Sequence, residues 1–262
     1  MLFFPNAKIN IGLNIVSKRT DGYHNLETIF YPIGWKDVLE IIPAKTNTFS
    51  STGIVVEGNE NLCQKALRLL QNDFDFSNVN IHLHKNIPTG AGLGGGSSDA
   101  AFTLMGLNQL FDLNLSKSEL KSYALKLGAD CPFFIDNTPS FAEGIGDVLS
   151  RVDLNFRGYH LVVVKPDIFI STAQAFAAIK PYKSEVSLSK EILKPIDSWD
   201  IKNDFENDLF INFPELSEIK NKFIEQGAIF SSMSGSGSSI YGIFSSKPNI
   251  KFNNAQVFYQ PL

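Results

Sequence analysis

The sequence has few of the features that make most functional classes easy to recognise. It has only two cysteines, Cys63 and Cys131, far apart and matching no metal-ligand spacing. They read as buried free thiols of a reducing cytosol, and a disulfide framework is excluded. No apolar run reaches the ~18 residues of a spanning helix, so no membrane partner is expected. Met1-Leu2-Phe3-Phe4 is broken by Pro5 and carries no charged n-region, so no secretory leader is expected. A formal net charge of −4 leaves no basic footprint, which argues against a nucleic-acid partner. No internal repeat of solenoid or propeller period is visible. What is present is a globular composition, 44% hydrophobic and 19% charged over 262 residues, enough for one large domain or two ordinary ones. The phenylalanines, 22 against seven tyrosines, read as core packing.

Residues 78–111 carry the strongest local signal. Val79, Ile81 and Leu83 alternate with Asn80, His82 and His84, the pattern of a half-buried strand. The glycine run Thr89-Gly90-Ala91-Gly92-Leu93-Gly94-Gly95-Gly96-Ser97-Ser98 follows, and then Ala100, Leu104, Leu107 and Phe111 recur at helical spacing. Strand, glycine loop, helix is the order a phosphate cradle needs. Glycines let backbone amides approach an anion, and the helix start adds unpaired N–H groups and partial positive charge. The Walker pattern fails, because no Lys-Ser or Lys-Thr closes the run. The kinase glycine hairpin fails too, because no hydrophobic strand follows at once. Gly90, Gly92 and Gly95 do satisfy G-x-G-x-x-G, which keeps an NAD-binding oxidoreductase open. That reading needs parallel βαβ order and an acidic residue ending a second strand, whereas Asp112 follows the helix. A plain glycine-rich turn is the other alternative.

Elsewhere, Ala7, Ile9, Ile11, Leu13 and Ile15 alternate with Lys8, Asn10, Gly12 and Asn14. This predicts a half-exposed antiparallel strand with Lys8 and Asn10 on one face, where a solvated outer face is the ordinary alternative. Asp21-Gly22 makes a turn, followed by Tyr23 and His24; a lone histidine beside a turn is commonly a surface residue. Strands are expected at 26–33, 38–42 and 54–56, and an amphipathic helix at 61–71. Ser116 to Glu119 is a capping box for a helix ending at Gly128. Asp130 follows in a tight corner beside Pro132, Phe133 and Phe134. It either caps local amides or needs a cationic partner such as a lysine. A glycine-punctuated hairpin covers 141–147, and the character of the chain changes near 155. A buried strand is expected at 161–164, a helix capped by Ser171 or Thr172, loops and short helices over 180–200, and a helix at 216–226. The Ser/Gly run 231–239 leads into the strand 240–244. Its position between a helix and an apolar strand predicts a structured loop, not a linker.

Three stretches together resemble one family: Ala7-Lys8-Ile9-Asn10 with Asp21-Gly22-Tyr23-His24, the loop from Pro88 to Ala101, and Ser234-Gly235-Ser236-Gly237. The chain is similar to the GHMP kinase superfamily. Gly-Ala-Asp-Cys-Pro-Phe-Phe at 128–134, Ala-Glu-Gly-Ile-Gly at 142–146 and Asn203-Asp204-Phe205-Glu206 also fit, so the resemblance spans nearly the whole chain. It implies an α+β, two-domain GHMP kinase fold: an N-terminal ribosomal-protein-S5-domain-2-like domain over 1–155 and a C-terminal ferredoxin-like domain over 156–262. It implies a cytoplasmic, ATP-dependent kinase, a monomer or weak homodimer. The reaction would phosphorylate the 2-hydroxyl of a cytidine diphosphate-linked methylerythritol, giving ADP and the 2-phosphate, in non-mevalonate isoprenoid synthesis.

By family position, Pro88, Thr89, Gly90, Ala91, Gly92, Leu93, Gly94, Gly95, Gly96, Ser97 and Ser98 would wrap the ATP triphosphate. Mg²⁺ would accompany it, with Ser98 its candidate ligand. Asp130 would be the catalytic carboxylate and Lys8 its partner. Tyr23 and Phe176 would sandwich the cytosine and His24 would read its edge. Asn10 would lie near the methylerythritol and Thr172 at the cytidine end. The Ser-Gly-Ser-Gly motif replaces a threonine-rich version, and the second domain is short. A kinase for another small alcohol and a catalytically silent nucleotide-binding module are the alternatives.

Overall fold

The alternation at 7–15 becomes the strand Asn6–Lys18, in which every residue from Asn6 to Ile15 is buried. The half-exposed strand expected from the pattern is therefore corrected. The apolar row packs into a core, and the polar row is buried against partners instead of water. A polar side chain survives that burial only when its donors and acceptors are satisfied. The structure is a computed structural model, and it describes residues 1–56, 60–179 and 187–262. Packing divides the chain into two discontinuous units. The first is Met1–Lys8, Pro32–Thr89 and Gly94–Thr138; the second is Ile9–Tyr31, Gly90–Leu93 and Pro139–Leu262.

The first unit holds a four-stranded sheet in the order Leu2–Phe3, Val38–Pro43, Val79–Lys85, Thr48–Gly53. Val79–Lys85 runs antiparallel to Val38–Pro43 and parallel to Thr48–Gly53. The parallel pair is bridged by the helix Leu62–Gln71, as a parallel connection requires. The strand expected at 54–56 lies earlier, over Thr48–Gly53. It is an exposed edge rich in Ser and Thr, so it shows no apolar alternation. Ser50 and Thr52 instead bond His82 Nδ1 and Nε2 at 2.8 and 3.1 Å on the neighbouring strand, and Thr52 reaches His84 at 2.9 Å.

Helices Gly95–Leu110 and Lys117–Leu127 complete the first unit's main packing, with the short helix Phe133–Asp136 after them. The Ser116 capping box forms as expected: Glu119 N–H donates to Ser116 Oγ and Ser116 N–H to Glu119 Oε2. A second box, Asn61 with Gln64, opens the 62–71 helix.

In the second unit an antiparallel sheet runs Phe230–Met233, Ile240–Phe244, His160–Pro166, Ala255–Pro261. Val162, Val164, Ile240 and Phe244 pack with Leu216 and Phe223 of the helix Pro214–Glu225. The helix Phe205–Asn212 adds Phe205 and Leu209 to the same core. The Ser/Gly run is a strand end and a tight turn, not a linker. Of the loops and short helices expected over 180–200, residues 180–186 lie outside the described residues; beyond them are the helix Leu188–Glu191 and a 3-10 turn, Ile196–Ser198. A further sheet has the order Asn6–Lys18, His24–Lys36, Ser140–Glu143, Val148–Arg151, the last two being the hairpin read from the glycines. Among the described residues no helix is long and apolar enough to cross a membrane.

Candidate active site

In the first unit the strand Val79–Lys85 delivers the chain to the glycine loop, and the helix Gly95–Leu110 carries it away. Gly94 is the helix N-cap with φ +69°, a conformation that L side chains rarely adopt. A Cβ there would stand 2.9 Å from the Phe134 ring and 3.1 Å from Lys8 Cε. Glycine leaves the first helical amides without a side-chain cap, which suits them to an anion. Gly95, Gly96, Ser97 and Ser98 form that first turn. Ser98 is fully buried, and its hydroxyl has no hydrogen-bond partner among the described residues. An unsatisfied buried hydroxyl is costly, so this one fits a ligand oxygen or a cation.

Below the loop lies a charge cluster absent from the sequence reading. Lys85 Nζ donates to Asp37 Oδ2 and, at 2.7 Å, to Asp99 Oδ2, with all three side chains buried. Asp37 Oδ1 also accepts the N–H groups of Asn86 and Ile87 at 2.6 and 2.8 Å, so it pins the entry to the loop. Two carboxylates share one ammonium. Burial pushes Asp99 up to about 7 against the pull of Lys85. Burial also works to lower Lys85, and the two carboxylates outweigh it, so the ammonium is held above its ordinary range. One sequence signal for this cluster is Asp99 on the buried face of an Ala/Leu helix, one turn before Thr103.

The Asp130 corner has the lysine partner that its surroundings called for. Lys8 Nζ lies 3.3 Å from Asp130 Oδ2. The corner is shaped by Cys131 N–H donating to Gly128 O and by buried Phe133 and Phe134 packed edge to face. Both cysteines are free and buried; burial raises the Cys131 thiol to about 12 and Cys63 further still. Neither is a nucleophile at neutral pH.

In the second unit the middle of the loop, Gly90 to Leu93, meets the Ser-Gly turn. Gly92 has φ +72°, and a Cβ on it would run into the carbonyl of Ser234. Ser234 Oγ donates to Gly92 O at 2.8 Å and accepts the N–H of Asn10 at 3.1 Å. Tyr241 OH donates to Asn10 O at 2.9 Å, and Asn10 Nδ2 to Thr28 Oγ1 at 2.9 Å. The backbone and carboxamide of Asn10 are thus both held. The His24 ring stacks on Phe176 with centroids 5.1 Å apart and planes 16° apart, while Tyr23 is exposed. Thr172 Oγ1 lies 3.4 Å from Ser236 Oγ, beside the same turn. The structure therefore brings Lys8 to Asp130 and His24 to Phe176, and it does not lay the Tyr23 ring on Phe176. Ser234 and Asn203 lie in family-like motifs of the sequence, but neither is given a site role there, because their partners are distant in sequence.

Among the described residues no three His, Cys, Asp or Glu side chains cluster as a metal site. The group here that fits a cation is the unsatisfied Ser98 hydroxyl at the helix start.

The chain matches the GHMP kinases N terminal domain over residues 61–139 and the GHMP kinases C terminal domain over 188–256. It is 51% identical over 252 residues to the 4-diphosphocytidyl-2-C-methyl-D-erythritol kinase of Bacteroides thetaiotaomicron, covering 93% of this chain and 92% of that protein. It is 45% identical to the Cytophaga hutchinsonii protein of the same name, covering 97% and 96%. A crystal structure of 4-(cytidine 5'-diphospho)-2C-methyl-D-erythritol kinase superposes with TM-score 0.80 at 33% identity, over 92% of this chain and 89% of that one. The Methanococcus jannaschii mevalonate kinase shares the fold, with TM-score 0.70 at 13% identity over 99% and 97%.

Proposed function

This chain belongs to the GHMP kinases, in the branch of the 4-diphosphocytidyl-2-C-methyl-D-erythritol kinases, and from that premise we propose its reaction. It transfers the terminal phosphoryl group of ATP to the 2-hydroxyl of 4-diphosphocytidyl-2-C-methyl-D-erythritol, giving ADP and the 2-phosphate. The step belongs to non-mevalonate isoprenoid synthesis. The observation that carries the proposal is 51% identity over 93% of the chain to a relative of that name.

Phosphoryl transfer needs positioning and charge neutralisation more than covalent chemistry. Asp130 orients the attacking hydroxyl and takes its proton. Lys8, held dry beside it, fixes the carboxylate and offsets charge near the transferred group. The residues from Pro88 to Ser98 supply backbone amides and the helix start for the triphosphate. Mg²⁺ bound with ATP would neutralise phosphate charge, and the Ser98 hydroxyl is the group here that would hold it. For the alcohol, Asn10 addresses the methylerythritol, Thr172 the cytidine end, and Tyr23, His24 and Phe176 the cytosine. A base stacking on the face of Phe176 that His24 covers takes the place of that ring. The family segments at 61–139 and 188–256 lie on either side of residue 155, which supports 1–155 and 156–262 as the N- and C-terminal domains. The same reading gives a cytoplasmic monomer or weak homodimer, which light scattering can distinguish.

The test is ADP release with the cytidine diphosphate-linked alcohol, compared with mevalonate, homoserine and ATP alone. Turnover specific to the first substrate, with the new phosphate on the 2-oxygen by phosphorus NMR, is expected. Equal or greater turnover with another alcohol would assign a different GHMP substrate. NAD binding without ADP release would revive the oxidoreductase.

A further inference from the structure

The motif Asn203-Asp204-Phe205-Glu206 has no role in the reaction as drawn, yet its side chains and backbone are densely hydrogen-bonded. Asn203 is 1% exposed. Its Nδ2 donates to Met233 O at 2.9 Å and to Gly235 O at 2.8 Å, and its Oδ1 accepts the N–H of Phe205 at 3.0 Å. Glu206 Oε1 takes the N–H of Met233 at 2.7 Å and the hydroxyl of Ser232 at 3.0 Å, while Lys220 Nζ donates to Oε2 at 2.5 Å. On its other side the segment joins the strand Asn6–Lys18. Leu13 N–H donates to Lys202 O and Asp204 N–H to Leu13 O, each at 2.9 Å, and Asp204 Oδ2 accepts the N–H of Ile15 at 2.7 Å. The turn thus grips two segments at once, and each carries a site residue: Asn10 on the strand and Ser234 in the Ser-Gly turn.

Both N–H groups of the Asn203 carboxamide are spent on the carbonyls that flank Ser234. With Met233 O and Gly235 O held, the backbone of Ser234 is tethered on both sides, and its hydroxyl lies between Gly92 O and Asn10 N. Asparagine suits this place, because a carboxamide offers two donors and an acceptor in one plane. Aspartate would keep the acceptor and lose both donors.

We propose that Asn203 is a positioning residue for phosphoryl transfer, acting through Ser234 to set the backbone of the glycine loop at Gly92 and of the strand at Asn10. The proposal rests on the kinase reading for its kinetic consequence, and on geometry alone for its effect on the Ser-Gly turn.

The experiment compares Asn203→Asp, Asn203→Ala, Ser234→Ala and the pair Asn203→Ala/Ser234→Ala with Leu216→Ala, which opens a cavity in the same unit's core and removes no hydrogen bond of the turn. Amide hydrogen exchange is read over residues 234–239, with kcat and KM for ATP and Tm for each protein. Both Asn203 variants are expected to speed exchange across the turn and to raise the KM for ATP about tenfold or more. Ser234→Ala should reproduce the kinetic change, and the double variant should add little to it, because the two residues act in series. Leu216→Ala should lower Tm with KM unchanged. Three results would overturn the proposal: unchanged exchange over 234–239 in Asn203→Ala, a KM change that tracks Tm across all variants including Leu216→Ala, or independent effects of Asn203 and Ser234 that add in full. If the parent chain shows no kinase activity, the functional reading fails and the exchange measurement alone decides on the clamp. If Asn203→Asp does not fold, Asn203→Ala, which buries no charge, decides both arms.

Discussion

Lys8 and Asp130 face each other across 3.3 Å with opposite exposure: the lysine side chain is 4% exposed and the aspartate 35%. The cation is sealed in place while the carboxylate remains open to a hydroxyl. Removing either should therefore damage the chemical step more than nucleotide binding. Asp130→Asn and Lys8→Met are each expected to lower kcat by about 100-fold or more, with the KM for ATP within a few-fold of the parent. Steady-state ADP release checks this, and near-normal turnover in either variant would remove that residue from the mechanism.

Gly92 should tolerate no side chain. Alanine there meets a positive φ and the immovable carbonyl of Ser234 together. Gly92→Ala is expected to lower Tm and to raise the KM for ATP at least tenfold. Gly158→Ala makes a clean comparison, because its φ is +93° with nothing within 4 Å of the added Cβ. It should cost only the strain of the left-handed conformation, about 1–2 kcal/mol, with KM unchanged. Thermal melts and ATP titrations of the two variants separate crowding from backbone strain.

The ring pair of His24 and Phe176 predicts a substrate effect without a nucleotide effect. Phe176→Ala should raise the KM for the cytidine-bearing alcohol by about tenfold, in line with the ~1–3 kcal/mol of a base stacked on an aromatic ring. The KM for ATP should stay put. An unchanged KM for the alcohol would end the stacking assignment.

The buried thiols should be silent in the folded protein. Cys131 is raised to about 12 in the folded state, whereas an unfolded thiol ionises near 8.5. Above about pH 8.5 the unfolded chain therefore loses a proton that the folded chain keeps, and this group's contribution to stability falls as pH rises from there toward 12. At pH 8 a thiol-specific disulfide reagent is expected to react slowly with the native protein and rapidly with two thiols in denaturant. Fast labelling of one thiol in native buffer would contradict the burial.

Regular pattern was readable wherever one side of an element met water or a cap declared itself. The Ser116 box, the helix after the glycine loop and the hairpin read at 141–147 all carried local signals. The first strand shows where such reading stops. Alternation says which side chains share a face, but not what covers that face. The partners of Asn10, at Ser234 and Tyr241, are over 200 residues away in sequence. The strands Thr48–Gly53 and Ala255–Pro261 lie at sheet edges with mostly exposed side chains, so burial wrote no apolar pattern into them. The cluster of Asp37, Lys85 and Asp99 left one trace, Asp99 on the buried face of its helix, for a related reason. Each residue is an ordinary charge until the fold removes water from all three.

The separation between Asn10 and Tyr241, 231 positions, also has a consequence for how the chain is made. The first strand leaves the ribosome early, while the turn that grips it is still untranslated. At roughly 5–20 residues per second, tens of seconds pass before Tyr241 exists. Through that interval Ile9, Ile11, Leu13 and Ile15 are an apolar row with much of their core missing. Early exposure of such a segment invites chaperone capture during synthesis. A circularly permuted gene that begins at residue 139 and ends at residue 138 would shorten the wait, since the Ser-Gly turn and its sheet would be complete before the first strand emerged.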